Sequence, residues 1–193
     1  VPRRLPPLED TGLPAAGFLS VAPPTAGALP HTALSHRIDS FLLTLESFVS
    51  WIWLVLLAVI VVNVIARYAF GEGRIEFEEL QWHLYAIGFL VGIAAGVSAD
   101  VHVRVDVLRE RFSPRTQSWL ELYGLLLVQL PFGMLGVFYS VPFVAVAFAS
   151  NEVSVSAGGL PYRWLIKGAL LAGFGLLALA SFSRLLRVCA ALF

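Results

Sequence analysis

Charge is what this sequence has least of. Asp, Glu, Lys and Arg make up 13% of its 193 residues, against about 25% in an ordinary soluble domain. Hydrophobic residues make up 58%. That deficit, set in long apolar runs, places the chain in the membrane class. Net charge is zero, so there is no basic footprint for nucleic acid. Cys189 is the single cysteine, which excludes an intrachain disulfide and any cysteine-based metal cluster; in an apolar helix near the C-terminus it reads as a small core residue. Lys167 is the only lysine. No inverted repeat relates the two halves, as it would in many self-sufficient transporters.

The expected fold is an all-α integral membrane protein with four transmembrane helices, an amphipathic lead-in helix and a disordered N-terminal tail. The tail, residues 1–34, is rich in Pro, Ala and Gly and carries no apolar periodicity. Its prolines prevent a continuous helix and interrupt any signal-peptide core, so retention of the tail is expected. The membrane domain is residues 35–193. Ile38, Phe41, Leu42, Leu45, Phe48 and Val49 recur at helical spacing, with Asp39, Ser40, Thr44, Glu46 and Ser47 on the other face, which describes the lead-in helix. Spans follow at about residues 48–68, 80–99, 119–148 and 160–189. Trp51, Trp53 and Tyr68 bracket the first as aromatic belts do. The third is too long for a straight crossing, so Pro131 and Pro142 should kink or shorten it. Pro161 suits the first turn of the fourth, with the preceding turn supplied by Gly158 and Gly159.

Basic residues set the expected orientation. Nine of the thirteen Lys and Arg fall in the N-terminal region, the second loop and the C-terminal region, against four in the first and third loops. The positive-inside rule then places both termini in the cytoplasm.

Among candidate functional residues the decisive feature is again a scarcity. His83 is the only ionisable side chain expected well inside a span, with Asn63 and Gln129 as the other notable polar groups. Transport sites and proton relays use intramembrane charge or broken helices, so the chain is expected to bind no charged substrate itself. His83 as a haem ligand, making the chain a membrane anchor of a redox complex, is the alternative. It wants a second histidine on a facing helix, and His31, His36 and His102 lie elsewhere. No cofactor is expected. Glu76, Glu78 and Glu79 open the second span, where carboxylates favour the positive end of the helix dipole. Gly88, Gly92 and Gly96 form a small-residue stripe that lets another helix approach, in this chain or in a partner. Asp100, His102, Arg104 and Asp106 alternate with valines; extended, the four share a face, whereas in a helix they scatter. An Asp–His–Asp metal set would have Arg104 among its ligands, repelling a cation. An ion-paired interfacial turn or partner contact is the plainer reading.

The Glu78-Glu79-Leu80-Gln81-Trp82 entry to the second span, the His102–Val107 exit from it, and Gly158-Gly159-Leu160-Pro161 before the last span resemble the DctQ-type small membrane subunit of tripartite ATP-independent periplasmic (TRAP) transporters. The likeness covers roughly residues 35–186. It implies a secondary, ion-gradient-driven importer of an organic acid in the bacterial inner membrane. Its partners would be a much larger, many-span permease subunit and a periplasmic substrate-binding protein. It also implies a scaffolding role without enzyme activity, and structural roles for Glu79, His102 and Asp106.

Overall fold

A computed structural model describes residues 29–71, 73–101 and 112–193. Most of the tail expected over residues 1–34 therefore lies outside the described residues. Helix α1, Ala33–Val49, starts at a reciprocal cap. The Thr32 hydroxyl accepts from the Ser35 N–H at 3.1 Å, and Ser35 Oγ accepts from the Thr32 N–H at 3.0 Å, so two otherwise orphaned donors at the helix start are satisfied. Ser50 and Trp51 remain in the right-handed region, and α2, Ile52–Phe70, continues almost without a break. It stops at Gly71, whose φ of 72° is left-handed, a backbone state open to glycine at no steric cost. Helix α3 is Ile75–Ala99. Ser113 caps α4, Pro114–Gly124, with Pro114 in its first turn, where a missing N–H costs nothing. Leu125–Gln129 forms a π-helical turn, α5 is Leu130–Ala149, and α6 is Trp164–Leu192.

Four of these helical stretches are long and apolar enough to cross a membrane: Ala33–Phe70, Ile75–Ala99, Pro114–Ala149 and Trp164–Leu192. No strand occurs among the described residues. Pro131 accounts for the π-turn. An α-helical Pro131 could not donate to the Leu127 carbonyl, and its ring would strike it. The ladder widens by one residue just before, where the Leu130 N–H donates to Leu125 O, a common way for a helix to absorb such a conflict. Pro142 is carried inside α5.

One expectation fails at the start of the fourth span. Pro161 is not in the first turn of α6, which begins three residues later at Trp164. Tyr162 has φ 62°, a left-handed turn that interrupts any helix begun at Pro161.

The helices pack through small residues, as they do where lipid supplies no hydrophobic drive for association. A side chain at Gly133 would meet the Ala178 backbone at 3.4 Å, one at Gly136 would overlap the Phe174 ring, and one at Gly173 would sit 2.8 Å from Leu90. Hence α5 lies on α6, and α6 on α3. Gly173→Leu is expected to lower stability by about 1–3 kcal/mol through overpacking against Leu90. Thermal unfolding in detergent measures this, and an unchanged midpoint would show that α3 and α6 separate freely at that level. Helix α2 is different: only Leu56 and Asn63 are buried along it, a single stripe laid on α3.

Helix α1 is rotated from its expected facing. Asp39, expected on the outer polar face, is 6% exposed, while Phe41 and Phe48 are 54% and 72% exposed. Ser35, Asp39 and Leu42 form the inward stripe. Leu42 packs with Ala94, Val97 and Ala180. The reason is chemical. Helix α6 offers Asp39 a hydroxyl and a guanidinium, whereas an outward phenylalanine costs nothing in a hydrocarbon surround.

Candidate functional site

Two polar junctions hold the bundle, one at each end. The first lies where the α2–α3 turn meets the loop between α5 and α6. Glu79, in the first turns of α3, takes a proton donor on each oxygen: Ser154 Oγ donates to Oε1, and the Leu160 N–H donates to Oε2 at 2.6 Å. Gly158 turns the loop with φ +80°, and Gly159 lies so close beneath that an added Cβ would overlap Ser154 and approach Glu79 Oε1 to 2.9 Å. Ser154 N–H donates to Leu160 O at 3.2 Å, closing the loop on itself. Beside this clamp, Glu152 pairs with Lys167 and with Arg163, the latter at 3.9 Å. Lys167 also lies 3.9 Å over the Phe143 ring, so its ammonium is held by an acid and an aromatic face. Arg67 at the end of α2 pairs with Glu78. Asn63 and Gln81 share a cleft of ≈360 Å³ beneath that pair.

The second junction gathers the start of α1, the end of α3, α4 and the end of α6. Arg184 is 3% exposed. Its Nε donates to Glu121 Oε1 at 2.5 Å, and Nη2 lies 2.9 Å from Asp100 Oδ1. One turn on, Arg187 Nη1 donates to the Ser98 carbonyl at 3.2 Å and faces Asp39 Oδ2 at 3.6 Å. Ser183 Oγ donates to Asp39 Oδ1 at 2.7 Å. Three acids from three helices thus surround two arginines on a fourth. The planar guanidinium suits this role because it offers several donors in a fixed fork.

This cluster lies at one end of the bundle and adds buried charge there, without touching the expectation for the middle of the spans. Arg184 and Arg187, read as charges of a C-terminal region, lie inside α6, and Asp39 and Glu121 are drawn in with them. A signal existed in the sequence. Ala180, Ser183, Arg184 and Arg187 recur at three- and four-residue spacing, which puts a polar stripe on one helical face.

A third feature is open. Along α3, Gly88 packs under Trp53, with an added Cβ 3.0 Å from the ring, whereas one at Gly92 would meet nothing within 4 Å among the described residues. Gly92 and Gly96 line a groove of ≈330 Å³ between α3 and the α1–α2 junction.

A family model for the DctQ component of tripartite ATP-independent periplasmic transporters matches residues 56–191. The chain belongs to this family. It is thus a small TRAP subunit, a multi-pass protein of the inner membrane, and the family is a transporter component rather than an enzyme family. Neither the curated proteins nor the solved structures yield a match.

The positions singled out in the sequence fall into separate places. Glu79, Gly158 and Gly159 come together in the clamp, joined by Leu160 rather than by Pro161. Glu78 sits apart, on Arg67. Gly88 contacts Trp53, while Gly92 and Gly96 open on the groove. His102, Arg104 and Asp106 lie outside the described residues. Nothing supports the haem-anchor alternative. His83 Nδ1 lies 2.5 Å from the Glu79 carbonyl of its own helix, and His31 and His36 belong to the opposite end, beside Asp39.

Proposed function

We propose that this chain is the static scaffold of a TRAP permease, packed against the large permease subunit and holding no substrate itself. The large subunit, fed by a periplasmic substrate-binding protein, imports an organic acid at the expense of an ion gradient. The family match carries this reading. The arrangement of charge supports it: the acids and arginines buried between helices neutralise one another at the two ends of the bundle, and an anionic substrate would need a cation left free near the middle. The end with the arginine cluster faces the cytoplasm, placing both termini there, and the clamp faces the periplasm. The distribution of basic residues favours this orientation. In it, α1 is the lead-in helix, lying where the cytoplasmic headgroups meet the bundle, and residues 35–193 form the membrane domain.

Co-expression with a large TRAP permease subunit from the same genome tests the proposal. The two chains should co-purify, deletion of this one should abolish organic-acid uptake by cells, and this chain alone in liposomes should transport nothing. A chain that is monodisperse alone and indifferent to the large subunit would overturn it.

A further inference from the structure

The groove along α3 contains a charge without a counterpart among the described residues. Glu46 lines it together with Trp53, Phe89, Gly92, Ile93 and Gly96. The wall is otherwise apolar or glycine but for Ser50. The other acids packed among the helices (Asp39, Glu79, Glu121 and Glu152) each have an ion pair or hydrogen bond. The Glu46 carboxylate has none among the described residues, though the residue is half-buried. A carboxylate facing an apolar groove in a membrane helix calls for a cation opposite it.

We infer that this groove seats a transmembrane helix of the large permease subunit, and that a Lys or Arg on that helix pairs with Glu46. The inference rests on the scaffold reading above and adds to it the surface and the chemistry of contact. Shape and charge together select the occupant. At Gly92 the α3 backbone is open to a close helical neighbour, and nothing in this chain comes within 4 Å of where a Cβ would stand, among the described residues. Close backbone approach is what small residues provide in membrane helices. A second copy of this chain is a poor fit: among the described residues the cations within α2 and α6 (Arg67, Lys167, Arg184 and Arg187) already face acids of their own chain, α3 and α5 contain no Lys or Arg, and the exposed Arg37 and Arg115 stand in the first two turns of α1 and α4, away from the middle of any span. A lipid tail would fill the apolar walls without bringing a cation, and pairing of Glu46 with a lipid ammonium headgroup would leave recovery of the large subunit unchanged in Glu46→Lys, which the test below reads. The occupant therefore brings its own cation on its own helix.

The test uses the complete transporter, with the small subunit tagged and the large subunit quantified after purification. Glu46→Lys should lower the large subunit recovered by about tenfold or more, since like charges opposed across an interface cost several kcal/mol. Gly92→Leu should lower it by filling the groove. Neither change should alter the thermal midpoint of the small subunit purified alone, because Gly92 has open space where a Cβ would stand and the Glu46 carboxylate makes no hydrogen bond or ion pair within the described residues. Changing to Glu, one at a time, the Lys and Arg residues on the large subunit's membrane helices should restore recovery with Glu46→Lys at one position and at no other. Unchanged recovery with both variants, while the wild-type complex remains intact, would overturn the groove assignment and leave the scaffold reading standing. Cross-linking of a cysteine at position 46, in a Cys189→Ser background, to a second copy of this chain would also overturn it. Failure of the wild-type chain to recover any large subunit would instead overturn the scaffold reading.

Discussion

Arg184→Leu is expected to cost about 3–5 kcal/mol of folded stability, the range for removing one partner of a buried ion pair. The geometry explains the size. Arg184 is 3% exposed and faces Glu121 and Asp100 from a single guanidinium. Leucine fills the volume but leaves acids at the junction of α3, α4 and α6 without their shared cation. The double variant Arg184→Leu with Glu121→Leu removes both charges of the shortest pair and should regain much of the loss; Asp100, with its side chain 38% exposed, can turn to water. Arg184→Lys should fall between, because a single ammonium does not reproduce the fork that meets Glu121 through Nε and Asp100 through Nη2. The measurement is the thermal midpoint and monodisperse yield in detergent. A single variant as stable as the parent would show that the acids already find other partners and that Arg184 does not hold the cluster together.

Gly159→Val is expected to cost about 1–3 kcal/mol and to open the α5–α6 loop, because the new side chain would overlap Ser154 and crowd the Glu79 carboxylate. Glu79→Ala attacks the same clamp from the other side. It removes the acceptor for both the Ser154 hydroxyl and the Leu160 N–H while leaving the α3 helix unobstructed. Hydrogen exchange reads the difference. In Glu79→Ala the Leu160 amide should lose its protection while amides in the middle of α3 and α6 keep theirs. Glu79→Gln retains one carbonyl oxygen as acceptor and should lose roughly half of that effect. Persistent protection at Leu160 in the alanine variant would mean that the loop's own bonds, such as Ser154 N–H to Leu160 O, suffice to order it. In the proposed orientation the clamp would give the periplasmic face a fixed loop, so its loss should lower uptake by the complete transporter even where the subunits remain associated.

Much of the architecture was legible because a bilayer leaves few choices. A run such as residues 52–62, with no charged or strongly polar side chain, satisfies its backbone in hydrocarbon only as a helix. The glycines before the last span announced a turn, and Gly158 has the positive φ that this required. Other expectations needed partners that sequence order does not reveal. Glu79 is separated from Ser154 by 75 positions in the chain, so its place at the helix start suggested only a dipole effect. Asp39 looked like an outward residue of an amphipathic helix until Ser183, 144 positions away, met it. Pro161 matched a helix-start pattern, but the left-handed Tyr162 beyond it moved the start to Trp164. The misses at Glu79 and Asp39 concern polar groups, whose positions depend on long-range pairing, and the one at Pro161 a single backbone turn; apolar periodicity depends mainly on what surrounds the helix.

The glycine stripe divides along the same line. The four-residue spacing of Gly88, Gly92 and Gly96 by itself determined that one face of α3 has no bulk. Only the tertiary structure decided that Trp53 covers Gly88 and that Gly92 is left open beside Glu46. Composition likewise determined that the chain lives in a membrane and crosses it with helices, because burying so much apolar surface and so little charge admits no aqueous alternative. Which acid meets which arginine was decided by the packing of α1, α3, α4 and α6. A charge in a low-dielectric interior is held by whatever opposite charge the fold brings within a few ångströms, wherever that residue falls in the chain.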